Sequence, residues 1–347
     1  MIKKALTLIV SMILLFGLAA CGDSTESSTD AASGSEKEVM KIKLGHVTND
    51  QSAIHKGALK FKEIVEEKSD GTMEVEVIPG GQLGSEKDLV ESTQIGTIEI
   101  TIPSAAVLSN FVPKAAVLTL PYVIKGENER EKYKTFVELG KSEAYKEIAT
   151  QAEEAKLVAF PEAIWWVGDR HVTTSEEPVK TPEDMKGLKI RTPDATAHTE
   201  PFKIMDANVT PMNISEVYYS LKSGTIAAQE NSVNQIYTNN FHEVQKYVNL
   251  TGHMSQNELP VVSLQWWNTL SEDQKKIVTE AMNESGEYMS ELQLTANEEE
   301  LEILKEEGME VVEVDIEAFK EATKDTYKSF EDVLGKGYYE KIKSAQE

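Results

Sequence analysis

From residue 40 onward the chain switches repeatedly between two apolar periods, and that switching restricts it to an α/β fold. Residues 41–46, KIKLGH, alternate apolar and polar side chains as a short strand does. Ile54, Ala58, Phe61, Ile64 and Val65 then recur at three-four spacing, which predicts an amphipathic helix over residues 54–68. Asp70-Gly71 is a turn signal, after which Met73, Val75 and Val77 alternate with Glu74 and Glu76 until Pro79-Gly80-Gly81. Residues 86–95 read as a helix stopped by Gly96, and Ile98, Ile100 and Ile102 alternate again. Such strand-helix repetition implies largely parallel strands.

The second half keeps the rhythm. Residues 157–160 are a short apolar strand. Thr181-Pro182-Glu183-Asp184 opens a short helix, with a capping hydroxyl, a proline whose missing N–H costs nothing there, and acids facing the helix dipole. LKIR at 188–191 is a strand; Ser215 caps a helix carrying Val217, Tyr218 and Leu221; residues 225–231 and 261–264 are further strands. Ser271 and Gln274 form a capping box. From there to about residue 307 only Gly286 interrupts a helical pattern. A helix of that length, roughly 50 Å at about 1.5 Å per residue, suits a bridge between two lobes.

The N-terminus carries a different kind of information. Lys3 and Lys4 precede an apolar run at 5–16, too short for a membrane-spanning helix, which needs about 20 apolar residues. Small residues then lead to Cys21, the only cysteine. The order Leu-Ala-Ala-Cys resembles the lipobox of bacterial lipoproteins, which implies removal of residues 1–20 as a signal peptide and lipidation of Cys21. Residues 22–37, GDSTESSTDAASGSEK, cannot bury enough apolar surface to order themselves and read as a flexible tether. One cysteine excludes an intramolecular disulfide and a cysteine zinc site. The formal net charge of −24 argues against nucleic acid, whose phosphates such a surface repels.

No catalytic signature appears. G-x-S-x-G, H-E-x-x-H, G-x-x-x-x-G-K-[ST] and G-x-G-x-x-G are all missing, and the six histidines are scattered. No metal or cofactor is called for. Arginine use is more informative. Against 35 Lys plus Arg, arginine occurs only at Arg130, Arg170 and Arg191. Arg191 ends the LKIR strand, and Arg170 follows Gly168-Asp169 after a strand and Trp165-Trp166. Strand ends are where α/β folds bind ligands, and a guanidinium matches a carboxylate in two parallel hydrogen bonds. Anion recognition and two structural ion pairs are both open on this ground alone.

Several stretches resemble, in order and spacing, the solute-binding proteins of tripartite ATP-independent (TRAP) transporters of the dicarboxylate-binding DctP type. They are GHVTNDQSAIHKGALKF, IPGGQLGSEKDLVE, LSNFVPKAAVLTLPYV, RHVTTSEEPVKTPEDMKGLKIRTP, TPMNISEVYYSLKSG, QEN and FHEVQKYVNLTGH. The resemblance implies a two-lobed periplasmic-binding-protein-like fold with crossing strands and a long connecting helix. The lobes would be residues 40–167 with 257–296, and 168–256 with 297–347, after the signal peptide at 1–20 and the lipidated tether at 21–39. It implies a receptor, not an enzyme, that closes on a small organic acid, a sugar acid or a dicarboxylate, and delivers it to TRAP membrane subunits. An extracellular lipoprotein enzyme acting on an organic acid is the alternative. Contact with the membrane would be through the lipid alone. The ligand carboxylate would sit on Arg170 and Arg191, with Asn231 lining the site. Glu86, Ser104, His46, Trp165 and Glu230 also fall at or near cleft-lining positions. Three departures stand out: Ala227-Ala228 where the family reads Asp-Gly, Ser232 where proline is common, and Asp169 where an aromatic residue often precedes the first arginine. An acid at 169 could pair with Arg170 or repel a second carboxylate.

Overall fold

The computed structural model describes residues 39–347. The expected signal peptide, the lipidation site Cys21 and all but the end of the tether lie outside that range. The described residues form two sheets in a mixed α/β architecture. The first runs β2-β1-β3-β10-β4, from β1 (Met40–Gly45), β2 (Met73–Ile78), β3 (Ile100–Thr101), β4 (Leu157–Ala159) and β10 (Val261–Ser263). The second runs β11-β9-β5-β8-β6-β7, from β5 (Trp165–Thr174), β6 (Lys189–Thr192), β7 (Asn208–Pro211), β8 (Ala228–Asn231), β9 (Tyr247–Glu258) and β11 (Glu310–Val312). The expectation of largely parallel strands holds for β1 with β2 and β3, and for β6 with β7 and β8. It fails where the chain crosses between sheets. β10 is antiparallel to β3 and β4, and β5 is antiparallel to both β8 and β9.

The crossing strands are the element that the apolar periods conceal. β5 and β9 are buried along nearly their whole length, so neither shows an alternating pattern. Arg170 therefore stands within β5 and not after a strand. The β5–β9 pairing slips between Trp166 and Gly168 and again between Arg170 and Val172. Such irregularities bend a strand and re-aim its side chains. Gly168 makes the first possible. Its φ is 113°, and a Cβ there would lie 2.2 Å from Asn297 Nδ2.

Helices follow the expected pattern closely. α1 (Ala53–Lys68) is capped by Ser52, and α2 (Glu86–Gln94) by a Ser85–Asp88 capping box. The helix at Ile214–Lys222 takes Asn213 as its N-cap residue, not Ser215. The long helix spans Glu272–Glu306, 35 residues, opened by the Ser271–Gln274 box. It packs its buried face (Val278, Met282, Met289) on the first sheet's core of Ile42, Leu44, Phe61 and Val75, and continues to Leu304 beneath the second sheet. The tail does not stay with the second sheet. Tyr338 Oη donates to Ala144 O at 2.7 Å, and Phe330, Leu334 and Ile342 join the cluster of Leu139, Tyr145 and Ile148.

Trp165 pins the start of β5 between α1 and the long helix. Its indole is fully buried and donates to Met282 O at 3.2 Å. Glycines on both helices make the room. A Cβ at Gly57 would meet Trp165 Cζ3 at 2.8 Å, and one at Gly286 would meet Trp165 Cδ1 at 2.7 Å and Ile164 O at 2.8 Å. The interruption at Gly286 is thus a packing requirement. Gly286→Ala should lose about 1–3 kcal/mol to overpacking, outweighing the roughly 1 kcal/mol that alanine gains in helix propensity. A variant melting at or above wild type in calorimetry would show that Trp165 yields freely.

Candidate functional site

The C-terminal ends of the parallel strands meet at a cleft between the sheets. From the first sheet come Val47 and Thr48 beyond β1, Gly80 and Gly81 beyond β2, Ser104 beyond β3, and Glu86 at the start of α2. From the second come Arg191 and Pro193 at the end of β6, Met212 and Ile214 beyond β7, and Asn231 ending β8. This is where an open α/β sheet places ligands. An inner cavity of about 50 Å³ reaches Arg170, Arg191, Asn231, Glu86 and Ser104. A larger cavity of about 520 Å³ shares Val47, Glu86, Arg191, Pro193 and Ile214 with it. No cluster among the described residues is arranged to hold a metal ion.

The two arginines are held differently. Arg170 is 2% exposed, and all three of its guanidinium nitrogens are engaged. Nη2 donates to Glu230 Oε1 at 2.8 Å and to Glu230 O at 2.6 Å; Nε donates to Glu230 Oε2, and Nη1 to Gln256 Oε1. Burial opposes ionisation of Glu230, but the Arg170 charge together with the His198 and His253 contacts outweighs it and holds this carboxyl well below the usual range. His253 Nε2 lies 3.2 Å from Glu230 Oε2. His198 Nδ1 lies 3.3 Å from Oε1, off the hydrogen-bond line, and burial holds that imidazole neutral with its pKa lowered to about 4. Glu230 is therefore the buttress behind Arg170, and not part of the cavity wall.

Arg191 keeps one edge free. Nε and Nη2, which share an edge of the planar group, both donate to Met212 O, at 3.0 and 2.7 Å. Nη1 is buried without a hydrogen-bond partner among the described residues. Burial lowers its pKa to about 10, which leaves it cationic at neutral pH. A buried cationic donor with no acceptor is a costly arrangement unless an anion completes it.

Two carboxyl groups face the arginines. Ser104 donates from both its backbone N–H and its hydroxyl to Glu86 Oε1, the hydroxyl at 2.7 Å. Gln256 Nε2 donates to Glu258 Oε1 at 2.6 Å. Burial raises the pKa of Glu86, and burial together with the Glu86 charge raises Glu258 well above the ordinary value.

The structure brings Arg170, Arg191, Asn231, Glu86 and Ser104 together around one cavity. Trp165 and His46 belong elsewhere. Trp165 is a core wedge, as above. His46 lies behind the wall, its Nε2 3.0 Å from His55 Nδ1 and its Nδ1 3.0 Å from Thr48 Oγ1; burial and His55 lower its pKa to about 3. Asp169 neither pairs with Arg170 nor faces the cleft. It takes Lys132 Nζ at 2.6 Å and Ser255 Oγ at 2.6 Å on the far side of β5. Ala228 sits in regular pairing with Thr174 and Ile190, with no need of glycine. Gln256, Glu258 and His198 escaped the sequence reading. The one trace of Gln256 and Glu258 is the polar run Ser255-Gln256-Asn257-Glu258 directly before Leu259-Pro260-Val261-Val262; His198 left none.

Residues 44–332 match the bacterial extracellular solute-binding proteins, family 7 (DctP). The chain belongs to this family. It is 37% identical over 295 residues to a solute-binding protein of Roseobacter denitrificans, covering 85% of this chain and 88% of that one. It is 29% identical over 316 residues to the sialic acid-binding periplasmic protein SiaP of Vibrio cholerae, covering 90% and 95%. Among solved structures, a TRAP periplasmic solute-binding protein of Roseobacter denitrificans with bound L-galactonate superposes with TM-score 0.81 at 34% identity, over 89% of this chain and 99% of that one. The sugar acid-binding protein DctPAm of Advenella mimigardefordensis, in complex with galactonate, gives 0.83 at 28% identity, over 89% and 98%. These neighbours share the two-lobed α/β fold.

The Arg170–Glu230 geometry makes a stability prediction. Arg170→Met should cost about 3–5 kcal/mol in chemical denaturation, because it strands a buried carboxylate. Adding Glu230→Gln should restore most of that loss. A double variant no more stable than the single one would show that the pair is not the source.

Proposed function

We propose that this protein is the extracytoplasmic receptor of a TRAP transporter and that it holds a small organic acid between its lobes for delivery to the membrane subunits. The observation that carries the reading is the unpartnered, buried Nη1 edge of Arg191 in the cleft. A ligand carboxylate on that edge would take two parallel charge-assisted hydrogen bonds, each contributing about 1.5–3 kcal/mol. Arg170, its charge matched by Glu230, borders the same cavity, and Asn231 adds a polar side chain on the same wall. Relatives and neighbours that bind sialic acid, galactonate or succinate support the class of ligand.

The lobes close because the ligand touches both. The equilibrium shifts only by the difference in affinity between closed and open forms, and closure excludes water, which strengthens the ionic contacts. The role is capture and release without turnover. No helix of the described residues is long and apolar enough to cross a membrane. Anchoring would fall to a lipid on Cys21, with residues 22–37 as the leash.

A thermal-shift panel of organic acids tests the reading. A bound acid at about 100 times its Kd should stabilise by roughly 2.7 kcal/mol, with the acid unchanged by NMR afterwards. Arg191→Lys should weaken binding at least tenfold, because an ammonium cannot copy the bidentate edge. Its apo melting temperature should stay close to wild type, since lysine can still donate to Met212 O. Undiminished binding by Arg191→Lys would remove the carboxylate from this residue.

A further inference from the structure

We propose that the cleft is built for a hydroxylated monocarboxylate, an aldonate-type acid, and that Glu86 and Glu258 reject a second carboxylate. This narrows the receptor reading above and rests on it. Within the inner cavity Arg170 is already matched by Glu230, and its Nη1 donates to Gln256. Arg191 alone keeps a whole donor edge free, enough for one carboxylate.

The rest of the wall offers a second carboxylate no further cation: beyond the arginines and the two acids its polar groups are neutral, namely Thr48, Ser104, His198, Asn231, Gln235 and Gln256. Glu86 and Glu258 both line the cavity, and each uses one oxygen for a protein donor, Ser104 or Gln256. Neither second oxygen takes a hydrogen bond from the described residues. These oxygens suit hydroxyl groups, which donate and accept. A ligand carboxylate there would be an anion beside two acids in a buried site. Even sharing a proton with one of them would leave a buried negative charge unmatched. The outer cavity adds one cation beyond Arg191, Lys87, which stands beside Asp88 and Asp194, all three of them exposed.

Matched acid pairs isolate the effect. Galactarate differs from D- and L-galactonate, and meso-tartrate from D-erythronate, only in a terminal carboxylate that replaces CH2OH. By titration calorimetry on the whole chain at pH 7.5, the better-bound monoacid should exceed its diacid at least tenfold. Glu86→Gln and Glu258→Gln should each shrink that ratio to threefold or less, with folding checked by circular dichroism. If either variant fails to fold, the wild-type ratio and the other variant decide. A diacid bound within threefold of its monoacid, or succinate bound while the monoacids are not, overturns the inference and leaves the receptor reading intact. An undiminished ratio in both variants overturns the assignment to Glu86 and Glu258. Binding of no acid at all ends both readings.

Discussion

The buried pair of Arg170 and Glu230 is the contact around which the cleft is organised. A guanidinium 2% exposed and a carboxylate 0% exposed cannot be separated without stranding one charge in a low dielectric. Arg170 comes from β5 and Glu230 from the neighbouring β8, so the pair ties together two strands of the second sheet. Gln256 extends the tie to β9 and passes a hydrogen bond on to Glu258. A wall fixed in this way lets Arg191 remain incomplete. One arginine is spent on architecture, and the other keeps an edge for chemistry.

The same two strands connect the sheets. β5 begins in the core of the first sheet, where Trp165 is wedged between α1 and the long helix, and ends deep in the second. β9 returns beside it, with Glu258 next to Ser104 in an isolated bridge to the first sheet's side. Relative movement of the sheets must pass through this ribbon and the long helix. The slips at Gly168 and Arg170 lie within the ribbon, near the arginine that the cavity reaches. Any hinge motion would therefore involve the backbone between Trp166 and Val172, beside the arginine that borders the cavity.

Much of this was legible in the sequence, for a physical reason. α1, α2, β1, β2 and the long helix are each buried on one face only, so their burial is written as a period. β5 and β9 are buried on both faces and carry polar groups that satisfy one another, so hydropathy is silent there. The scarcity of arginine pointed to Arg170 and Arg191, but not to their unequal roles. That depends on which nitrogens find partners: Glu230 for one, the Met212 carbonyl for the other. Trp165 and His46 were misplaced because adjacency in the chain does not fix direction. Trp165 points into the core while Arg170 on the same strand reaches the cavity, and Val47 lines the cleft while His46 does not. Gln256 and Glu258 lay hidden because their recognition requires knowing that a polar run is a buried strand.

The acidic exterior bears on how an anion reaches such a site. With a formal net charge of −24, the chain as a whole repels its ligand at long range. At about 0.15 M salt the screening length is about 8 Å, so most of that charge is invisible to a small anion near the mouth. Inside, the balance reverses over a few ångströms. Burial holds His198 neutral, and Glu230 is matched by Arg170. Arg191 keeps a free donor edge in a medium that screens its charge little. Negative charge on the surface keeps the receptor soluble without competing for the site, because salt hides most of it from a small anion at the mouth.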